Sequence, residues 1–259
     1  MRGVLENLKA LEIEVNSRCN RSCSYCPVDV LPYPSVPREM SDDTFVRLHE
    51  QLAQVGYSGR ISYHFYNEPL LRKDLERLIR MSKAFLPSAK IVLFTNGELL
   101  NDQRYHTLRD AGVMYIVVTS HDNRTHPPRP NQIVQFPANL ELTNRGGVLV
   151  KLPAATEIHR KTPCFAASEM LIATVTGDIV LCYEDARREN ILGNIRTQTL
   201  EQIWNSPTLV AWRLALEQGR RGEAAEICSR CTNVAHRKPG SSAYTEPFWG
   251  ELGLAASLE

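Results

Sequence analysis

The first regular signal along the chain is an alternation at period two. Leu11-Glu12-Ile13-Glu14-Val15 sets apolar against acidic positions and predicts a strand. Apolar runs at residues 61–65, 91–94 and 114–118 predict three more strands. Between them, residues 41–55, 74–85 and 101–111 predict helices. Ser41 and Asn101 stand at helix starts as caps, with Asp42 and Asp43 in the first turn of the earlier helix. Strands alternating with helices argue for parallel βα units, whose ligand sites lie at the strands' C-terminal ends. Residues 27–40 and 121–138 each hold four prolines and predict loops, the second over the mouth of the barrel. Residues 139–142 predict a fifth strand, ending at Asn144-Arg145-Gly146-Gly147.

The pattern changes from about Cys164. Residues 171–175 and 179–182 flank Thr176-Gly177-Asp178 and predict a β-hairpin, and residues 199–204 and 207–217 predict two short helices. The expected fold class is α/β: an abridged βα barrel over residues 8–150, with a small α+β domain over 151–236. A tail follows at 237–259, rich in Gly, Ser and Pro; its end, Leu258-Glu259, reads as a vector remnant.

Composition narrows the function classes. Among 259 residues, 43% are hydrophobic and the net charge is +1, so no strong field favours nucleic acid or an anionic membrane. No apolar run reaches transmembrane length, and residues 1–10 lack a signal-peptide core. A cytoplasmic protein is expected. Seven cysteines suit metal binding better than a disulfide scaffold.

Cys19, Cys23 and Cys26 form a tight Cys-x3-Cys-x2-Cys run directly after the first strand. Three thiolates so spaced can wrap one corner of a cubane iron–sulfur cluster and leave one iron open to a small molecule. The alternatives are unrelated buried cysteines or part of a zinc site, although no His lies near the loop. The remaining four, Cys164, Cys182, Cys228 and Cys231, can close a complete [4Fe–4S] cluster or a structural zinc site. Three plus four leaves no thiol to return a hydrogen atom to carbon.

The first run, with Tyr25 before its last cysteine, resembles the signature of the radical S-adenosylmethionine (radical SAM) superfamily. The second set, with Ile191-Leu192-Gly193-Asn194-Ile195 and Gln202-Ile203-Trp204, resembles the auxiliary-cluster module of SPASM/twitch enzymes. The resemblance implies a radical SAM partial barrel, two [4Fe–4S] clusters and S-adenosylmethionine. Tyr66-Asn67-Glu68-Pro69 stands where that superfamily has a Gly-Gly-Glu-Pro motif near the methionine ammonium. Thr95-Asn96-Gly97 and Thr119-Ser120, at later strand ends, could bind ribose or substrate. These residues, with Tyr25, are the expected cofactor contacts. His64 reads as a strand side chain, and His121 could line the site.

Closer still, residues 12–17, 64–71, 144–147 and Cys182-Tyr183-Glu184-Asp185 look like the 2-deoxy-scyllo-inosamine dehydrogenase family of butirosin biosynthesis. That resemblance implies oxidation of a secondary alcohol of an aminocyclitol to a ketone in antibiotic biosynthesis. Arg145 and Glu184 then contact the substrate, and a flavodoxin- or ferredoxin-type donor supplies electrons. Residues 121–138 and the tail do not match, which leaves a different aminocyclitol or amino sugar equally compatible. A first strand beginning by residue 11 leaves no N-terminal module for a leader peptide. The rivals are a radical SAM epimerase or peptide-modifying enzyme, and a non-catalytic zinc module.

Overall fold

β1 (Ala10–Ile13) is buried along its whole length because strands flank it on both sides. The computed structural model describes residues 5, 7–30, 38–122 and 124–240. On one side β1 pairs with β2 (Arg60–Ser62), and then follow β3 (Lys90–Thr95), β4 (Val113–Thr119) and β5 (Gln132–Gln135), all parallel. On the other side it pairs with β6 (Met170–Ala173), again parallel, with Leu11 opposite Ile61 and Leu171. β7 (Asp178–Val180) and β8 (Ile191–Asn194) continue antiparallel, so one eight-stranded sheet runs β5-β4-β3-β2-β1-β6-β7-β8.

Period-two geometry sorts the strand residues between two faces. Leu11, Ile13, Ile61, Leu93, Leu171 and Ala173 join the main core, under Phe45, Leu48, Leu78 and Leu108 of the helices. Those helices are α1 (Asp42–Gln54), α2 (Leu75–Phe85) and α3 (Asp102–Ala111). Ser41 and Asn101 cap α1 and α3 as expected, each side chain accepting an N–H three residues on. The opposite face carries Val92, Tyr115 and Val117 at one side, and buried Glu12, Glu14, Arg60 and Ser62 nearer the middle. Charged side chains on the inner face of a central strand are costly unless paired, and each of these is. Glu14 takes Arg188 at 2.8 Å and the Val175 N–H at 2.8 Å, which ties β1 to the later segment.

The hairpin forms as expected, turning at Gly177 with φ +84°. A Cβ there would stand 3.1 Å from Thr44 and 3.2 Å from Ile195, so glycine suits both the turn and the close packing. The second segment adds α4 (Glu157–Lys161), α5 (Ala166–Glu169), α6 (Leu200–Trp204), α7 (Pro207–Glu217) and α8 (Glu226–Arg230).

One expected strand moves. β5 lies inside the proline-rich span read as a loop, whereas residues 137–139 form a 3-10 turn and 140–142 no strand. Ile133 and Val134 give only two apolar positions, and the pairing of Val117 with Ile133 supplies the rest. The tail from 241 onward, with Leu258-Glu259, lies outside the described residues, as do 31–37. Among the described residues no helix is long and apolar enough to cross a membrane.

Candidate active site

The ends of β1 to β4 meet at one rim, where Glu68 acts as a knot. Its N–H donates to the Arg18 carbonyl at 2.8 Å, and its own carbonyl accepts from Asn16 Nδ2 at 3.0 Å. Its carboxyl oxygens accept from Leu70 N–H at 3.0 Å, Thr95 hydroxyl at 2.8 Å and Asn96 N–H at 2.8 Å. Burial pushes the Glu68 pKa up despite these donors. Asn67 folds back on its own turn, accepting the Phe65 N–H at 2.8 Å. Asn96 donates to Asn20 of the cysteine loop at 2.8 Å. Thr119 accepts from Gln135 Nε2 at 3.0 Å and Ser120 donates to the Arg124 carbonyl at 3.0 Å, so both are tied to the β5 side.

Cys19, Cys23 and Cys26 are half-buried on this rim, in a turn closed by Cys26 N–H donating to the Cys23 carbonyl at 2.9 Å. Burial raises the Cys19 pKa and pushes Cys26 up to about 11, so these two thiols hold their protons and a bound metal must draw out the thiolate. Tyr25 hydrogen-bonds His121 through its hydroxyl, and the two rings stack at 5.9 Å. His121 Nδ1 also stands 3.7 Å from Cys23 Sγ.

The other four cysteines line one pocket of about 440 Å³, walled by Ala167, Leu181, Leu216 and Ile227. Burial raises all four thiols, Cys228 to about 12. Among the described residues no three His, Cys, Asp or Glu side chains gather closely enough for a single metal ion. Four thiols spaced around one pocket with apolar walls fit a cubane cluster, a larger group than a single ion.

A second cavity, of about 470 Å³, is lined by Glu12, His64, Phe65, Tyr66, Arg145 and Tyr183. Phe65, Tyr66 and Tyr183 also pack beside Cys26. Arg145 sits 5.9 Å from the ring centres of both tyrosines. Its backbone is left-handed at φ +50°, as are Gly146 and Gly147 after it. A Cβ on Gly146 would come 3.1 Å from the Glu184 carbonyl, so this close approach brings Arg145 over Glu184. Glu184 meets Arg145 Nη1 at 3.3 Å and accepts from the Thr143 hydroxyl at 2.8 Å and Asn233 Nδ2 at 3.0 Å. Burial pushes the Arg145 pKa down, but Tyr66, Glu184 and Tyr183 push it further up, so the guanidinium stays charged. Arg145 therefore faces the cavity, and Glu184 lines the four-cysteine pocket behind it.

Across the cavity, burial pushes the Glu12 carboxyl up while Arg60 and His64 more than offset it and hold the pKa at about 2. His64 Nδ1 lies 3.0 Å from Glu12, and Arg60 bonds both Glu12 and Ser62. Glu12, Tyr183 and Asn233 escaped the sequence reading as site residues. For Glu12 a signal existed: an acidic side chain within a strand that must be covered on both faces.

A radical SAM superfamily profile matches residues 13–135, and an iron–sulfur cluster-binding SPASM profile matches residues 164–232. The chain is 34% identical over 236 residues to the S-adenosyl-L-methionine-dependent 2-deoxy-scyllo-inosamine dehydrogenase of Niallia circulans, covering 87% of this chain and 93% of that relative. The chain belongs to this radical SAM dehydrogenase family. BtrN in complex with AdoMet and 2-DOIA superposes with a TM-score of 0.84 at 32% identity, over 92% of this chain and 98% of BtrN. An open conformation of BtrN gives 0.75 at 30% identity, over 89% of this chain and 94% of that one. The enzyme is thus an oxidoreductase that uses S-adenosylmethionine and two [4Fe–4S] clusters, one in the radical SAM part and one in the SPASM part. The dehydrogenase reading is favoured over the epimerase and peptide-modifying alternatives.

Proposed function

We propose that this enzyme oxidises a secondary alcohol of a small aminocyclitol or amino sugar to a ketone, in a cytoplasmic antibiotic pathway. Similarity to a named 2-deoxy-scyllo-inosamine dehydrogenase along 87% of the chain carries the reading. When bound, S-adenosylmethionine beside the cluster of Cys19, Cys23 and Cys26 would supply 5′-deoxyadenosyl radical chemistry for removing a hydrogen atom from the carbinol carbon, and the cluster of Cys164, Cys182, Cys228 and Cys231 would supply the acceptor for the remaining electron, with the hydroxyl proton released.

Cys19, Cys23 and Cys26 hold the cluster that meets S-adenosylmethionine, within residues 8–150. Cys164, Cys182, Cys228 and Cys231 hold the other, within 151–236. Tyr25, Tyr66, Asn67, Glu68, Asn96, Thr119 and Ser120 frame the S-adenosylmethionine side. Glu68 does so by tying the turn after β2 to the ends of β1 and β3: its backbone meets Arg18 and Asn16, and its carboxyl oxygens accept from Leu70, Thr95 and Asn96. Arg145 and Glu184 form the catalytic pair: Arg145 stabilises the oxygen as it loses its proton, and Glu184 holds that guanidinium in place. Arginine is too weak an acid to serve readily as the base, so the proton leaves to another group or to water. A flavodoxin- or ferredoxin-type protein supplies electrons, and nucleic acid and membrane are not partners.

The test is anaerobic incubation of reconstituted enzyme with S-adenosylmethionine, reductant and a panel of aminocyclitols that includes 2-deoxy-scyllo-inosamine. A product lighter by two hydrogens supports the reading. A product isobaric with substrate in ordinary water, or one mass unit heavier when the reaction is run in deuterated solvent, contradicts it.

A further inference from the structure

Arg221 lies in the 3-10 turn Arg221–Glu223 and is 2% exposed. It lines the same pocket as Cys164, Cys182, Cys228 and Cys231. Its Nε donates to the Thr162 carbonyl at 2.8 Å and its Nη2 to the Asn233 carbonyl at 2.9 Å. Weaker contacts reach the Pro163 carbonyl at 3.4 Å and the Cys231 carbonyl at 3.5 Å. One guanidinium thus bridges the backbone just before Cys164 to the backbone at and after Cys231.

All these acceptors are main-chain carbonyls, which satisfy the N–H groups without cancelling the charge. Glu184 lines the same pocket, but Arg145 already faces it at 3.3 Å. Among the described residues Arg221 meets no carboxylate, and a buried guanidinium so placed is expensive unless an anion stands close by. Four thiolates ligating a cluster in this pocket would be that anion. The field of Arg221 is also felt at His236, whose pKa burial, then Arg221 and Arg60, push down to about 4.

Net charge near an iron–sulfur cluster is one of the levers on its reduction potential. We infer that Arg221 sets the potential of the auxiliary cluster: its fixed positive charge beside the pocket favours the reduced, more negative form and readies the cluster to accept an electron. This rests on the reading that the four cysteines hold that cluster. In the step it serves, the substrate radical gives up one electron and its hydroxyl proton to become the ketone, and the cluster is reduced by that one electron.

The test is a redox titration of the holoenzyme followed by electron paramagnetic resonance. The auxiliary cluster is taken as the one whose signal does not change on adding S-adenosylmethionine. R221K keeps the charge; R221Q and R221M remove it. The expected result is a potential in R221K close to that of the unaltered enzyme. In a neutral variant that retains both clusters, the equilibrium constant for reduction falls at least tenfold, about 59 mV for a one-electron couple. Three results overturn the inference. One is an unchanged potential in a cluster-replete neutral variant. Another is a drop in R221K as large as in R221Q. The third is loss of the second cluster from both neutral variants, because Arg221 then acts only by holding the fold. If the unaltered enzyme carries about four irons instead of about eight, the ligand reading falls together with this inference.

Discussion

Glu184 stands behind Arg145, 3.3 Å from its guanidinium, and turns it toward the cavity between the two cysteine centres. The carboxyl is fixed in turn by Thr143 and Asn233. If Arg145 stabilises charge on the substrate oxygen, E184Q keeps the neutral hydrogen bonds but loses the ionic hold. The expected loss in kcat/KM is about 10²-fold, with R145M at least as severe. E184A also leaves buried donors unmet and lowers stability by about 3 kcal/mol, measured by chemical unfolding.

Gly146 makes that arrangement possible through its left-handed backbone and its nearness to the Glu184 carbonyl, where a Cβ would come within 3.1 Å. G146A is expected to cost about 1 kcal/mol or more in stability. By displacing Arg145, it also lowers kcat/KM by more than the stability loss explains. Thermal unfolding and steady-state rates on the same preparation separate the two effects.

Buried His49 gives a pH dependence of stability. Its Nδ1 donates to the Phe45 carbonyl at 2.8 Å, and its Nε2 accepts from the Ser82 hydroxyl at 2.7 Å, which itself accepts from Tyr63 at 2.7 Å. Burial pushes the His49 pKa down to about 4 against the Phe45 bond. Between roughly pH 6.5 and 4 the unfolded chain therefore binds the extra proton. Stability is full above pH 6.5 and falls as pH drops through this window. H49Q is expected to flatten the fall, read as unfolding free energy at pH 7 and pH 5.

Metal content separates the two cysteine sets. The unaltered, reconstituted enzyme is expected to hold about eight irons, and the variant with Cys19, Cys23 and Cys26 changed to Ala about four. Zinc retained at the second set, with about four irons falling to none, would remove the acceptor that a dehydrogenase needs.

Much of this site could be read from residue type and spacing. The cysteine runs, the Ser41 and Asn101 caps and the Gly177 turn each announce themselves locally. What could not be read depends on pairing across long sequence separations. β6 looks like half of an isolated hairpin, yet it joins β1 in parallel and fuses the two segments into one sheet. β5 has only Ile133 and Val134 as an apolar signal, hidden among prolines, and takes its strand form from β4. Arg221 resembles any arginine in a polar turn until the fold carries it into the pocket. Glu12 was visible as an oddity, but its partners Arg60 and His64 come from the next strand and the turn after it.

The most direct test of the dehydrogenase account follows one atom. An aminocyclitol substrate deuterated at the carbinol carbon is turned over anaerobically, and both products are weighed by mass spectrometry. The account predicts one deuterium in 5′-deoxyadenosine, a ketone lighter than substrate by one hydrogen and one deuterium, and one S-adenosylmethionine consumed per ketone. Recovery of an alcohol of inverted configuration carrying solvent hydrogen, or of 5′-deoxyadenosine without deuterium, would contradict it.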